Sequence, residues 1–503
     1  MSAGENTPSF YWYDFETFGL NRRADRPAQF AGMRTDMDFR PLDKGEILYC
    51  KPTKDYLPNP ESCLLTGITP QLCEENGLSE SQFSGEIWAR FNRPETISIG
   101  YNSLGFDDEV CRFLFWRNFL DPYSHMWKGG CSRWDIFPLT CAVWSLRGNR
   151  ICWPRWEEMD PATYPQAEGR QGVCFKLEFL SKANGIVHEH AHDALSDVEA
   201  TLGLAKLIRE TEPRLWQWAL EHRTKAKVKE ALETGGPVVW ISPRFGQDTG
   251  FIRIAAMVAV NAQNVNEVFM WDLSRDPTVF TGLSEEEIKS RLFARRGTLP
   301  DGVDALPIYR LQVNASPFVC DNLRVIPGDR AALYGIDFNA IQENFRKLQA
   351  IKPLMEGPLL EFSENREHAE PGDVDFGLYE GGFPSREDVW QKERIRQASP
   401  EALSRMVGEG LKFEDERLNE LLFRYRARNW PELLTPSETE QWKAFCYERL
   451  MASGVQEQNL LTMGAYFDRI DTLQEKYIED ENAQTILNDL YDWGESLGDF
   501  CSE

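Results

Sequence analysis

Two carboxylates stand two positions apart, Asp14 and Glu16, directly after the aromatic residues Phe10-Tyr11-Trp12-Tyr13. The aromatic residues favour a β-strand, in which residues two apart project from the same face. Neighbouring carboxylates repel each other and resist removal from water unless a cation lies between them. The pair therefore indicates half of a divalent-metal site with oxygen ligands. Two solvated acids on an edge strand are the alternative interpretation.

Asp107 opens a second acidic segment, Asp107-Asp108-Glu109, which follows turn-forming residues at 102–105. The pattern predicts a strand that ends near Tyr101 and a helix that begins near Asp107. An aspartate at a helix start commonly caps free backbone N–H groups, so capping and metal binding both explain Asp107. Asp108 competes with Asp107 as the candidate ligand.

A third segment, residues 188–197, reads His-Glu-His-Ala-His-Asp-Ala-Leu-Ser-Asp. Asp193 can cap the helix that follows, which places Asp197 in its early turns and His192 just before it. Such a helix start favours anions, including phosphate. The alternating histidines could instead bind zinc, although no cysteine or further histidine completes a cage. For His188 and His190, a loop without a chemical role is the other interpretation.

Taken together, the three segments supply four carboxylates, from Asp14, Glu16, Asp107 and Asp197. An all-oxygen set suits Mg²⁺ or Mn²⁺ rather than zinc. A pair of such ions can stabilise the attacking and leaving oxygens in phosphodiester hydrolysis. His192, whose ordinary pKa is near neutrality, can take the proton from the attacking water.

These segments resemble the DEDD exonuclease superfamily in its histidine-bearing subgroup, whose last motif is H-x-x-x-x-D, the spacing from His192 to Asp197. Further stretches resemble the bacterial exonuclease I family, over nearly the whole chain. They are residues 13–19 (YDFETFG), 25–30 (DRPAQF), 65–70 (LTGITP), 182–186 (KANGI) and 421–429 (LLFRYRARN).

The resemblance implies a 3′→5′ exonuclease that degrades single-stranded DNA to 5′-mononucleotides, with a role in DNA repair and recombination. It implies that the four carboxylates hold two Mg²⁺ ions, with Mn²⁺ able to substitute, and that His192 is the general base. An exoribonuclease of the same superfamily, acting on RNA 3′ ends, is the alternative, because the same carboxylates serve either sugar. A third interpretation is a scaffold protein without catalytic activity that binds the tail of a partner protein.

Single-strand binding needs cations along the backbone and aromatic faces under the bases. The candidates are Glu16, Phe18, Arg112, Tyr123, Trp127 and Lys176. For the three aromatic residues, ordinary core packing is the alternative.

The formal charge of −25 argues against a protein that coats nucleic acid non-specifically. Basic residues cluster locally, at 131–155 and in the run 222–229. The resemblance implies a further partner, the acidic C-terminal tail of single-stranded DNA-binding protein, which would dock on a basic ridge. Arg147 and the run 222–229 are candidate parts of that ridge.

The pattern of elements predicts three domains in the 503 residues. The first, 1–212, has α/β patterning, and the resemblance makes it an RNase H-like exonuclease domain with a mixed sheet. A β-rich, SH3-like domain follows at 213–368, and an all-helical domain at 369–503. Residues 364–375 read as a linker. The predicted elements of the first domain are strands at 10–15, 46–50 and 96–101 and helices at 79–91, 107–119, 134–146, 175–184 and 194–209.

No run of 18 apolar residues and no secretory signal occur in the sequence, which predicts a cytoplasmic protein without a membrane span. The 11 cysteines form no C-x-x-C pair, as expected of reduced and mostly buried thiols. A monomer is expected.

Overall fold

The structure, a computed structural model, describes residues 7–188, 193–294, 298–364, 372–451 and 460–502, without the side chains of 362–364. The chain divides into two compact units. The first comprises Met1–Arg133, His188–Thr201 and Ala369–Glu503, and the second comprises Trp134–Val187 and Leu202–His368. No described helix is both long enough and apolar enough to cross a bilayer.

The strands in chain order are β1 (Ser9–Thr17), β2 (Pro27–Thr35), β3 (Glu46–Tyr49), β4 (Thr96–Gly100), β5 (Ser132–Asp135), β6 (Val238–Ile241), β7 (Ile252–Val260), β8 (Glu267–Asp272), β9 (Ile308–Gln312) and β10 (Phe318–Cys320). The helices are α1 (Pro60–Thr66), α2 (Pro70–Asn76), α3 (Glu80–Phe91), α4 (Asp107–Arg117), α5 (Phe137–Arg147), α6 (Leu177–Ala183), α7 (Ala194–Thr211), α8 (Pro213–His222), α9 (Lys225–Glu233), α10 (Glu285–Arg291), α11 (Gly328–Leu333), α12 (Phe338–Glu364), α13 (Arg386–Gln397), α14 (Pro400–Gly408), α15 (Glu416–Asn429), α16 (Pro436–Met451), α17 (Met463–Lys476) and α18 (Glu481–Ser502).

The first sheet has the strand order β3-β2-β1-β4-β5. β1 pairs antiparallel with β2 and parallel with β4, so the predicted mixed sheet is confirmed. Tyr11, Tyr13 and Phe15 project from one face of β1 into a core shared with α3 and α4. Because β1 is an interior strand, the alternative of two solvated acids on an edge strand is wrong.

Most of the predicted elements of the first domain are present, with one misplaced boundary. Residues Trp134 and Asp135 end β5, and the helix predicted from 134 begins only at Phe137.

β2 was not predicted as a strand, because all nine of its residues are buried and it lacks the alternation typical of half-exposed strands. A proline starts α8 directly after α7, where its missing N–H costs no hydrogen bond.

The β-rich part of the second unit forms an antiparallel sheet with the order β10-β6-β7-β8-β9. Its buried face carries a cluster of apolar residues that includes Val238, Trp240 and Met270. The β-rich prediction is therefore confirmed. Two elements of this part were not predicted from the sequence. They are β10, which is only three residues long, and α12, which has Pro353 and Pro358 in its interior.

Two helices of the C-terminal part, α17 and α18, belong to the same compact unit as the first sheet and pack against N-terminal residues there. Tyr466, Leu487 and Leu490 of α17 and α18 share a buried cluster with Phe18 and Tyr56. The N-terminal and C-terminal parts of the chain therefore share a core.

A buried network of charges joins the same two parts. Arg428 Nη2 lies 2.8 Å from Asp55 Oδ2 and 2.5 Å from Asp375 Oδ2. Arg449 Nη1 lies 2.9 and 2.7 Å from the same two oxygens, and Arg26 Nη2 lies 3.5 Å from Asp55. Both aspartate side chains are fully buried. The linker prediction for 364–375 is therefore wrong at Asp375, which is a core residue, whereas 365–371 lie outside the described residues.

The buried charge network makes the free energy of unfolding depend on pH in the acid range. Burial alone would raise the pKa of Asp375, but Arg428, Arg449 and Arg424 together hold it well below the ordinary value of 3.8. A carboxylate with a depressed pKa contributes stability above its unfolded-state pKa, and that contribution is lost as the pH falls through its folded-state pKa.

Asp375→Asn removes one of the two fully buried carboxylates of the network, so that the positive charge of Arg424, Arg428 and Arg449 is only partly compensated. We expect the free energy of unfolding to fall by about 3–5 kcal/mol, measured by urea denaturation at neutral pH. Glu230→Gln is the control, because Glu230 pairs with Lys227 on the surface, and it should leave the unfolding midpoint unchanged. An unchanged midpoint for Asp375→Asn would contradict the role of the network.

Candidate metal centre

The structure brings three of the predicted carboxylates together. Asp14, Glu16 and Asp197 each place an oxygen so that all three atoms lie within 4.8 Å of one another. Asp14 and Glu16 project from the same face of β1, as the spacing predicted, and both are partly exposed. Carboxylate oxygens from a strand and a helix thus converge on one point, which suits a hard divalent cation.

Asp197 is positioned by the way α7 begins. Asp193 Oδ1 accepts a hydrogen bond from the Ser196 N–H at 3.0 Å, which is the predicted cap. The Ala194 N–H donates to Gln29 Oε1 at 3.2 Å, so the start of the helix is tied to β2 beside β1. Gln29 belongs to the stretch 25–30, although the sequence reading gave it no role.

Asp107 approaches the same strand from the other side. The β1–β4 pairing ends at Trp12, and further along β1 the Phe15 N–H donates to Asp107 Oδ1 at 3.2 Å. The N-cap position of α4 belongs to Phe106, which has no capping side-chain bond. Asp107 is therefore the first residue of α4 rather than its N-cap, and its carboxylate accepts a hydrogen bond from the strand that carries Asp14 and Glu16.

Asp108, the competing ligand, is buried in a different environment. Its carboxylate forms ion pairs with Arg133 and with Arg112, the latter at 2.9 Å, and His125 Nε2 lies 3.7 Å away. Burial would raise the pKa of Asp108, but Arg133 and Arg112 outweigh it and hold the pKa below its usual range. A carboxylate neutralised in this way does not need a metal ion.

The pKa values of the converging carboxylates are shifted in the opposite direction. Burial, followed by the charges of Asp107, Asp197 and Glu16, raises the pKa of Asp14 well above its ordinary value. Burial, Asp197 and Asp107 raise the pKa of Glu16 to about 8. The residues present therefore fit a divalent cation, because such an ion would remove the repulsion that shifts these pKa values.

One histidine of the third segment lies at the cluster. His188 Nε2 is 3.0 Å from Asp197 Oδ1, and the His188 side chain is buried. The side chain of His188 thus contacts a candidate ligand, and the interpretation of His188 as a loop residue without a chemical role stays untested. His192, the predicted general base, and His190 lie outside the described residues.

Two of the predicted DNA contacts are engaged inside the protein. Phe18 is 2% exposed and packs in the core with Tyr56, so the structure favours core packing over contact with a terminal base. Arg112 is buried and binds Asp108, Glu109 and the Tyr379 hydroxyl. These partners fix the position of the guanidinium, and its role in DNA binding stays a prediction.

The remaining predicted contacts are accessible. Trp127 is 66% exposed, Tyr123 is half-buried with Arg112 over its ring at 5.6 Å, and Lys176 is exposed at the N-cap position of α6. Their roles in DNA binding stay predictions.

The predicted partner contact, Arg147, is half-buried in the second unit. Its Nε lies 3.2 Å from Glu212 Oε2, and its Nη1 donates to the Val325 carbonyl at 3.3 Å. Arg150 binds the other oxygen of Glu212 at 3.4 Å. An acidic ligand would therefore have to compete with Glu212 for both arginines.

Comparison with known proteins extends over the whole chain. Residues 11–205 match the exonuclease family, residues 223–361 the Exonuclease I SH3-like domain and residues 372–497 the Exonuclease I C-terminal domain. Exodeoxyribonuclease I of Haemophilus influenzae is 37% identical over 492 residues, covering 97% of this chain and 98% of the relative. Exodeoxyribonuclease I of Escherichia coli is 33% identical over 499 residues, covering 99% and 100%.

Solved structures of similar fold include E. coli Exonuclease I in complex with a dA16 oligonucleotide. It matches with a TM-score of 0.87 at 33% identity, over 98% of this chain and 100% of that one. A moderately thermophilic Exonuclease I from Methylocaldum szegediense also has a TM-score of 0.87, at 36% identity over 97% and 99%. A zinc-bound form of the E. coli protein with single-stranded DNA has a TM-score of 0.86 at 32% identity, over 98% and 100%.

Asp14→Asn should stabilise the metal-free protein, because it removes one of the repelling charges at almost unchanged shape. In EDTA we expect the melting temperature to rise by about 2 °C, and Mg²⁺ should raise the melting temperature of the wild type more than that of the variant. Asp108→Asn is the matched control, and it should lower the melting temperature because it leaves Arg133 and Arg112 without their partner. If Asp14→Asn were destabilising in EDTA and Mg²⁺ had no effect on the wild type, the carboxylates would not form a metal centre.

Proposed function

The chain belongs to the exonuclease I family, and we propose on this basis that it hydrolyses single-stranded DNA from the 3′ end, with a divalent metal ion, and releases 5′-mononucleotides. The observation that carries the proposal is the convergence of Asp14, Glu16 and Asp197 within 4.8 Å, with Asp107 directed to the same strand. Relatives named exodeoxyribonuclease I match the whole chain, including the two regions after the exonuclease domain.

The carboxylates would hold the metal, and we propose two Mg²⁺ ions, with Mn²⁺ able to substitute. Such ions stabilise the charge that develops on the attacking and leaving oxygens of the phosphodiester. The chain's own contribution is to fix the ligands: β1 holds Asp14 and Glu16 on one face, and the tie from Ala194 to Gln29 holds the helix that carries Asp197. Preorganised ligands of this kind need no rearrangement during the reaction.

A general base must remove a proton from the attacking water, and we assign this role to His192. Its spacing to Asp197 follows the H-x-x-x-x-D motif, and an imidazole has the ordinary pKa suited to proton transfer near neutral pH. His188, which lies against Asp197, is assigned the role of orienting that carboxylate.

Three finer points belong to the proposal. The acidic C-terminal tail of single-stranded DNA-binding protein would dock on Arg147 and the basic run 222–229. The active form would be a monomer. It would act in the cytoplasm, in DNA repair and recombination.

The test follows 3′-labelled and 5′-labelled oligonucleotides of matched sequence in DNA and RNA, with Mg²⁺ and with EDTA. We expect immediate release of mononucleotide from the 3′ label and stepwise shortening from the 5′ label, on single-stranded DNA and only with metal. Preferential cleavage of the RNA oligomers would establish the exoribonuclease alternative instead. Metal binding without hydrolysis of either polymer would support the scaffold reading.

Histidine variants in the same assay separate the two roles. His192→Ala should reduce the rate by roughly two to four orders of magnitude, as expected for loss of a general base. His188→Ala is the matched comparison, and it should reduce the rate less while weakening metal affinity by roughly 10- to 100-fold, as expected for a group that orients a ligand. The reverse order of the two rates would contradict the assignment.

A further inference from the structure

Residues 182–186, the stretch KANGI, form the turn that ends α6. Gly185 has a left-handed backbone conformation, with a φ of 66°. Its N–H donates to the Lys182 carbonyl at 3.3 Å, and the Ile186 N–H donates to the Ser181 carbonyl at 3.0 Å. This pair of bonds is a Schellman motif, in which glycine is the favoured left-handed residue. The stretch therefore fixes the direction in which the chain leaves α6.

The Asn184 side chain ties this turn to a segment that precedes α6. Its Oδ1 accepts from the Cys152 N–H at 2.9 Å, and its Nδ2 donates to the Cys152 carbonyl at 2.8 Å. The amide thus pairs with both backbone groups of one residue. The segment around Cys152 is held in turn, because the Trp153 indole donates to the Gly148 carbonyl at 2.6 Å. The end of α6 is therefore anchored to a fixed stretch of backbone.

Ile186, the last residue of the turn, is half-buried and lies against α7 at Gly203. A Cβ added at Gly203 would lie 2.5 Å from Ile186 Cγ2, so a larger residue does not fit there while Ile186 keeps its position. Glycine in a helix interior is less stable than alanine, and at this position it permits the close approach of another segment. Asp197 lies in the first turn of the same helix.

The chain reaches the carboxylate cluster two residues after Ile186. His188 Nε2 lies 3.0 Å from Asp197 Oδ1, and the His188 side chain is buried. The segment that follows α6 therefore meets α7 twice, at Gly203 and at Asp197. Because the start of this segment is anchored and its distance from α7 is fixed, the position of His188 against Asp197 is fixed as well.

We propose that Asn184, Ile186 and Gly203 are positioning residues of the metal centre. Together they hold His188 against Asp197 and thereby fix the orientation of one proposed metal ligand. They act through the backbone of the segment and through α7, not by contact with the reacting atoms. This inference rests on the proposed function, because that function makes Asp197 a metal ligand.

Gly203→Ala tests the contact with Ile186, in the full-length protein with a dT20 oligonucleotide and Mg²⁺. The added methyl group would displace Ile186, and we expect kcat for mononucleotide release to fall roughly 10- to 100-fold while KM stays unchanged. The dissociation constant of Mn²⁺, measured without DNA by electron paramagnetic resonance, should rise roughly 10- to 100-fold. Gly464→Ala is the matched control, because the space around Gly464 in α17 is open, and it should change neither value.

Gly203→Ala/Ile186→Ala is the rescue variant, because it removes the Cγ2 atom that the new methyl group would meet. We expect this variant to recover most of the lost kcat and most of the lost Mn²⁺ affinity. A double variant no better than Gly203→Ala would show that the loss does not arise from this contact, and it would overturn the inference.

Asn184→Ala tests the anchor without introducing a clash, and it decides the question if Gly203→Ala does not fold. Loss of both bonds to Cys152 should lower kcat roughly tenfold at unchanged KM. Asn92→Ala is the matched control, because Asn92 also ends a helix and donates to a carbonyl of its last turn, that of Trp88 at 2.9 Å. It should leave kcat unchanged. Melting temperatures establish that each variant is folded.

Wild-type kcat and wild-type Mn²⁺ affinity in Asn184→Ala and Gly203→Ala would overturn the positioning role alone. A wild-type protein that binds Mn²⁺ but does not cleave DNA would overturn the proposed function. In that case an unchanged Mn²⁺ affinity of the two variants would separately overturn the positioning role.

Discussion

Repulsion between carboxylates that the fold forces together is the interaction on which the site depends. Asp14 and Glu16 share a strand face, Asp197 reaches that face from one helix start, and Asp107 contacts the same strand from another. Holding these carboxylates together destabilises the metal-free protein, since burial and mutual repulsion raise the pKa of Asp14 and Glu16. Sites that destabilise the protein in this way are typical of function, because the ligand that relieves the cost is the one the site is built to bind.

The same unit shows how carboxylates are treated when they serve stability alone. Asp108 and Asp375 are buried more deeply than Asp14 and Glu16, but each faces two or more arginines, and these outweigh burial and lower their pKa values. Asp107 and Asp108 are neighbours in the chain and nevertheless belong to opposite classes, because consecutive helical residues point about 100° apart. The environment of each carboxylate, rather than its residue type, separates the metal ligands from the structural acids.

The sequence predicted the site better than its surroundings. Period-two spacing sufficed for Asp14 and Glu16, and the capping rule sufficed for Asp193, because both depend only on local geometry. The burial of Asp375 was not predictable, since most of the arginines that surround it come from distant segments, such as Arg26, Arg428 and Arg449, and a charged segment is ordinarily predicted to be solvent-exposed. Phe18 illustrates the same limit, because residue type indicated a contact with DNA, whereas tertiary packing placed its side chain in the core.

The most direct test of the central claim is the number of Mn²⁺ ions bound per chain, measured by electron paramagnetic resonance of free Mn²⁺ during a titration at low ionic strength. The wild type should bind two ions, and Asp14→Asn/Asp197→Asn should bind none in the same concentration range. Equal binding by the two proteins would show that the converging carboxylates do not hold the metal, and it would contradict the account.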